Sequence, residues 1–329
     1  MSLATLAEAL RASAGFAHKR DIGGVMSALS THLPQASDIL LGDDCAAIPD
    51  GGGHLLFAIE GLMAEFVQCM PWFAGYSAVM VNLSDIAAMG GRPIAVVDAL
   101  WSHGIDAADQ MLAGMAAASA RYGVPIVGGH SNNRSAHSGL AVAVLGRAQA
   151  LLTSFDARPG DHLVMAVDLR GAYHDPYAYW DASTTAPAAR LRQDLALLPT
   201  IAEAGWCRAA KDISMAGAIG SALMLLECSR VGACIDVDAI PRPPGVSDHA
   251  TLLRWLSAFP SYGFVLSVPP AHSAAVLDAF RRRGIAGAVV GEVDATCQLR
   301  LRRHGEQALL WDLAAQPFIT GTEAPHAVA

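Results

Sequence analysis

The chain has 329 residues, a formal charge of −8, 16% charged residues and 53% hydrophobic residues. That length suits about two domains, and so apolar a chain can build large cores, which excludes intrinsic disorder. The acidic balance, with no Lys/Arg stripe to neutralise phosphates, excludes a nucleic-acid-binding protein.

One long uncharged run, 66–84, contains Gln68, Pro71, Gly75 and Asn82. It is not the ~20-residue apolar stretch that spans a bilayer. Glu8, Arg11, Lys19 and Arg20 interrupt any signal-peptide core. Six cysteines form no CxxC pair, so they read as buried free thiols in a reducing cytoplasm. The expectation is a soluble, cytoplasmic protein without membrane or nucleic-acid partners.

Leu3, Leu6, Ala7 and Leu10 predict an opening amphipathic helix. A second helix is expected over 21–32, with Ile22, Val25, Met26 and Leu29 on its buried side, and 13–20 as a loop between the two. Leu55 to Ile59 reads as a buried strand. Helical period over 72–89 stops at Gly90-Gly91, as a C-cap should. Strands follow at 94–101, 124–127 and 140–145, with an alanine-rich helix at 107–122. Turn residues at 157–161 mark the domain boundary. Beyond it the pattern predicts strands at 162–167, 234–237, 262–268, 288–293 and 298–301. Helices are expected at 187–204, 215–230 and 271–283, and 322–329 as a disordered tail.

Gly42-Asp43-Asp44 offers an acidic pair, though Gly-Asp-Asp also favours a simple turn. Asn82, Asp85 and Met89 recur at helical spacing and share one face. Their neighbours are apolar, so Asp85 is expected to be partly buried and in need of a cation or strong donors. A metal ion or Arg92 would serve. In Lys211-Asp212-Ile213-Ser214, Asp212 or Ser214 could cap the following helix. Val127-Gly128-Gly129-His130-Ser131-Asn132 is a strand end where the backbone can approach a phosphate closely. No GxxxxGK[ST], GxGxxG or GxSxG fingerprint occurs.

Together these motifs resemble one superfamily: aminoimidazole ribonucleotide synthetase, selenophosphate synthetase, thiamine-monophosphate kinase and the hydrogenase maturation factor that dehydrates a carbamoyl group. Leu41-Gly-Asp-Asp-Cys-Ala-Ala-Ile48 is similar to the kinase's GDD segment. Val81-Asn-Leu-Ser-Asp-Ile-Ala-Ala-Met-Gly-Gly-Arg-Pro93 is close to the family's central helix motif. Ile126-Val-Gly-Gly-His-Ser131 with Gly139-Leu-Ala-Val142 resembles selenophosphate synthetase. So do Lys211-Asp-Ile-Ser214, Ile240-Pro-Arg-Pro-Pro-Gly-Val246 and Pro260-Ser-Tyr-Gly-Phe264.

The resemblance implies a two-domain α/β (α+β) fold. Residues 1–155 would form an N-terminal mixed sheet with helices for ATP and Mg²⁺ binding and dimerisation, and 156–321 a C-terminal α/β sandwich. It also implies phosphotransfer to, or activation of, a small molecule. Asp44, Asp85 and Asp212 would be metal ligands, with Asp43 and Glu60 as further candidates. Glu60 stands where the family has Asp. Asn82, Gly128, Gly129 and Ser131 would contact the nucleotide, and Lys19 and His130 would be catalytic. In Gly15-Phe-Ala-His18-Lys19 the lysine matches selenophosphate synthetase, but Phe16 and His18 replace its reactive thiol. The partner classes expected are a small-molecule acceptor and a second copy of the chain. The alternative is a non-catalytic nucleotide-binding subunit or sensor of the same fold.

Overall fold

The computed structural model describes residues 2–32 and 39–320; the expected tail at 322–329 lies outside them. The chain forms two compact units. The larger contains the residues up to Asp43, Leu152–Ala182 and those from Ala204 onward; the smaller contains Asp44–Leu151 and Ser183–Glu203. This division departs from a single cut near residue 155. The opening helices belong with the C-terminal half, and a helical segment of that half belongs with the N-terminal sheet.

α1 (Leu3–Arg11) and α2 (Ala14–Ser30) open the chain in the larger unit. α1 buries the expected face of Leu3, Leu6, Ala7 and Leu10. α2 corrects two expectations. It starts at Ala14, with the Ser13 hydroxyl accepting from the Phe16 N–H at 3.4 Å, so 14–20 is helix and not loop. Its register is set by Phe16, fully buried against the rings of Trp311 and Phe318. Val25 and Leu29 therefore lie 66% and 46% exposed instead of facing the core.

The smaller unit contains β1 (Ala46–Asp50), β2 (Gly53–Gly61), α3 (Ala64–Cys69), α4 (Pro71–Ala88), β3 (Arg92–His103), α5 (Ile105–Tyr122), β4 (Ile126–Asn132) and β5 (Arg134–Ala148). Its sheet runs β1-β2-β5-β3-β4, antiparallel except for the β3–β4 pair. One face packs on α4 and α5 through Leu56, Val96, Leu100, Val142 and Val144. Strand alternation turns Ile48, Phe57, Ile59, Val97, Trp101 and Leu145 to the other face, where all six are exposed. Pro71 sits at the start of α4, and Gly90, at φ +73°, ends it.

The chain enters the larger unit through β6 (His162–Val167), β7 (Ala172–Tyr173) and β8 (Tyr179–Asp181). It returns to the smaller unit for α6 (Ala188–Leu195) and α7 (Leu197–Glu203), where one helix was expected. Ser183 ties this segment down, bonding the Tyr76 and Tyr122 hydroxyls at 2.7 and 2.8 Å. Back in the larger unit come β9 (Ala209–Asp212), α8 (Gly217–Ser229), β10 (Gly232–Asp236), α9 (His249–Leu256), β11 (Phe259–Pro260), β12 (Gly263–Val268), α10 (Pro270–Arg282), β13 (Ala286–Asp294), β14 (Gln298–Arg303) and β15 (Glu306–Asp312).

Seven strands form one sheet in the order β15-β14-β10-β13-β6-β12-β9, and β11-β8-β7 form a small second sheet. α8 is buried almost all round. Its Glu227 carboxylate accepts from the Phe318 and Ile319 N–H groups at 2.6 and 2.7 Å, which satisfies backbone the core would otherwise strand. Among the described residues, no helix is long and apolar enough to cross a membrane. The six cysteines are free, but only Cys45 and Cys207 are buried, and burial pushes the Cys207 thiol up to about 12.

Candidate functional site

Gly42, at φ +112°, turns the chain into Asp43 and Asp44. The two acids then part. Asp43 holds the turn: its carboxylate accepts from the Ser154 N–H at 2.9 Å and the Ser154 hydroxyl at 2.7 Å, both within the larger unit. Asp44 opens the smaller unit, and its carboxylate lies within 4.8 Å of that of Asp85.

Asp85 is buried in the last turn of α4, where apolar neighbours fix the helix between α5 and the sheet. Asn82 lies one turn earlier and is fully buried. Its amide N–H donates to the Ala78 carbonyl at 2.7 Å, while its Oδ1 has no hydrogen-bond partner. A buried acceptor left this way costs about 1–3 kcal/mol. Two carboxylates this close, one buried, also call for positive charge. Hard oxygen donors in this arrangement fit Mg²⁺. Arg92, the alternative partner for Asp85, forks onto both oxygens of Glu203 instead, one of them at 3.0 Å.

In the larger unit, Asp212 is the buried last residue of β9, opposite Phe264 on β12. It is not a helix cap: α8 has Ala216 at that place, without a side-chain capping bond. Ser214 is no cap either, and its buried hydroxyl has no partner. Lys19 lies half-buried on α2. The neighbouring His18 Nδ1 meets Met215 Sδ at 3.3 Å, and a Cβ at Gly15 would stand 2.4 Å from the Met215 carbonyl oxygen. This close seating on the loop after β9 fixes the 14–19 segment in place.

The sheet register separates the remaining candidates. Glu60, Val142, Asp98 and Gly129 form one row across β2, β5, β3 and β4, on the helix-covered face. Glu60 is exposed and stands outside the group of acids that includes Asp44 and Asp85. Ser131 shares the helix-covered side with Gly129, whereas His130 pairs with Ala99 and points to the opposite face. The sequence places His130 beside the two glycines, but strand alternation parts it from Glu60. Gly128 pairs with Val97 and faces the same side as His130, where a Cβ would meet nothing within 4 Å. At Gly129 it would stand 2.4 Å from Asp98 Oδ1. Asp98 is a residue the motif reading missed; a lone acid in the apolar stretch 94–101 was the available signal.

Comparison with known proteins places these motifs in one family. The AIR synthase related protein N-terminal domain matches residues 42–148, and its C-terminal domain matches 177–304. An uncharacterized protein of Synechocystis sp. is 47% identical over 311 residues, covering 94% of this chain and 95% of its own. A selenide, water dikinase of Geobacter metallireducens is 28% identical over 261 residues, covering 72% of this chain and 73% of its own. The structure of T. maritima PurL complexed with ATP has the same fold, with a TM-score of 0.69 at 19% identity; the match covers 86% of this chain and 47% of that one. With both domain families matched in order along the chain, the protein belongs to the AIR synthase related family.

Proposed function

We propose that this chain binds ATP with Mg²⁺ and uses its terminal phosphoryl group to phosphorylate or activate a small molecule. The observation that carries this reading is the Asp44–Asp85 carboxylate pair, with the orphaned Asn82 oxygen one helical turn away. Asp44, Asp85 and Asp212 would hold the metal. When bound, Mg²⁺ neutralises charge on the transferring phosphoryl group. Ser131, on the helix-covered side of β4, would contact the nucleotide. A relative named selenide, water dikinase and a PurL solved with ATP support the reading. The test is thermal: ATP raises Tm with Mg²⁺ present, by RT ln(1 + [L]/Kd), and does not in EDTA. An equal rise in both sinks the metal assignment.

Lys19 is the cation proposed for the transferred group. Its contact would strengthen as the transition state forms, so Lys19→Ala should lower single-turnover ATP cleavage about a hundredfold or more. ATP affinity should change little. Equal cleavage rates remove Lys19 from the mechanism. A second reading is a nucleotide-binding subunit without turnover; the placement of His130 on the opposite sheet face favours it. No ATP cleavage by the wild type with any acceptor would decide for it.

The exposed apolar sheet face supports a homodimer. Phe57, Ile59, Val97, Trp101 and Leu145 lie on one side of the sheet, and such patches mark association surfaces. The expected interface buries more than ~2,000 Å² in total. Sedimentation should give a dimer at micromolar concentration, and Phe57→Glu with Ile59→Lys should give a monomer. A monomeric wild type contradicts the dimer.

A further inference from the structure

Asp98 is an acid that nothing above uses. It stands in the middle of β3, on the face that packs against the helices. Val96 and Leu100, its neighbours on that face, are each 1% exposed, and Val142 beside it on β5 is fully buried. Yet Asp98 itself is half-exposed. The gap is supplied by β4, the edge strand of the sheet, which brings Gly129 against it. Any side chain at 129 would run into the Asp98 carboxylate, so the glycine leaves that acid a route to the sheet edge.

Among the described residues, no side chain forms a hydrogen bond or ion pair with Asp98. Its surroundings push the carboxyl above the ordinary aspartate range, chiefly through burial, against a smaller opposing effect from a backbone hydrogen bond. An uncompensated acid among apolar side chains costs stability. Local arrangements that cost stability without structural return cluster at functional sites.

We propose that Asp98 receives the acceptor: its carboxylate hydrogen-bonds the hydroxyl or amine of the small molecule across Gly129 and takes that group's proton during phosphoryl transfer. The proposal rests on the ATP-dependent reading above. The acceptor's oxygen or nitrogen forms the new bond to the γ-phosphorus, and the bond from that phosphorus to the β,γ-bridging oxygen breaks. ADP leaves with the electron pair, and the proton goes to Asp98 and then to water. The acceptor is thus a small molecule presenting a nucleophilic O–H or N–H on the Gly129 side of the sheet.

The experiment compares the wild type with Asp98→Asn, using hydroxylamine in excess as the acceptor probe. Three results are expected. Without nucleotide, the variant melts at a higher temperature than the wild type, because a desolvated charge is gone. The Tm rise produced by ATP with Mg²⁺ is the same in both. Formation of ADP in a single turnover falls about a hundredfold or more, the range for a lost general base. Gly129→Ala, which keeps the acid but crowds it, lowers turnover likewise. A lower Tm for Asp98→Asn assigns the acid a structural role and overturns the proposal. Equal turnover, or no ADP formation by the wild type, overturns it too. A wild type without a Tm rise from ATP and Mg²⁺ sinks the nucleotide reading instead, and the comparison of nucleotide-free melting still judges Asp98.

Discussion

Asp85→Asn abolishes the stabilisation that ATP and Mg²⁺ give the wild type, and leaves the nucleotide-free protein folded. The side chain keeps its size, so the packing of α4 between α5 and the sheet is undisturbed. Only a charge is lost. At a ligand concentration of 100 Kd the wild type gains about 2.7 kcal/mol. A hundredfold weaker variant gains about 0.4 kcal/mol under the same conditions, a difference that thermal melts read easily. Without ligand, Asn at 85 also relieves repulsion from the Asp44 carboxylate within 4.8 Å. The nucleotide-free variant should therefore melt no lower than the wild type. Asp212→Asn should lose the ATP effect as well. An unchanged effect in both variants removes the carboxylates from nucleotide binding.

The central helix was the most legible part of the site, because one helix carries its spacing. Asn82 and Asp85 fall on one face by arithmetic alone, and Gly90-Gly91 stops the helix where the sequence says. What the sequence hid depends on strand pairing. His130 sits next to Gly129 in the chain, yet alternation sends the two to opposite faces of β4. Asp98 is remote in sequence from every motif and joins Gly129 only through the parallel β3–β4 register.

The loop expected over 13–20 failed for a related reason. Ser13 as a cap and Phe16 as an anchor make helical sense only once Trp311 and Phe318, from the far end of the chain, are in contact. The same long-range packing assigns α1 and α2 to the larger unit. Short elements went unread too. β7, β8 and β11 are two or three residues each, too brief for any period to register.

Gly114→Ala is the substitution expected to cost most in stability, and its site shows how the fold holds Asp85. α4 and α5 cross with glycine on both sides of the contact. A Cβ at Gly75 would stand 2.0 Å from the Met111 carbonyl oxygen, and one at Gly114 would stand 1.9 Å from that of Trp72. Both obstacles are backbone, so no rotamer change relieves either clash, and the helices must separate. Alanine gains about 1 kcal/mol in helix propensity over glycine. Overpacking typically costs 1–3 kcal/mol and more where backbone must move, so a net loss of about 2 kcal/mol is expected. For a chain of 329 residues that lowers Tm by roughly 3 °C. Gly24→Ala in α2 is the control: a Cβ there meets nothing within 4 Å, so propensity alone acts and Tm should rise slightly. Separation of α4 from α5 would also shift Asp85 relative to Asp44, so Gly114→Ala should weaken the response to ATP and Mg²⁺ although no ligand is removed. If Gly114→Ala melts at or above the wild-type temperature, the two helices do not approach this closely, and the rigid seat for Asp85 is lost with them.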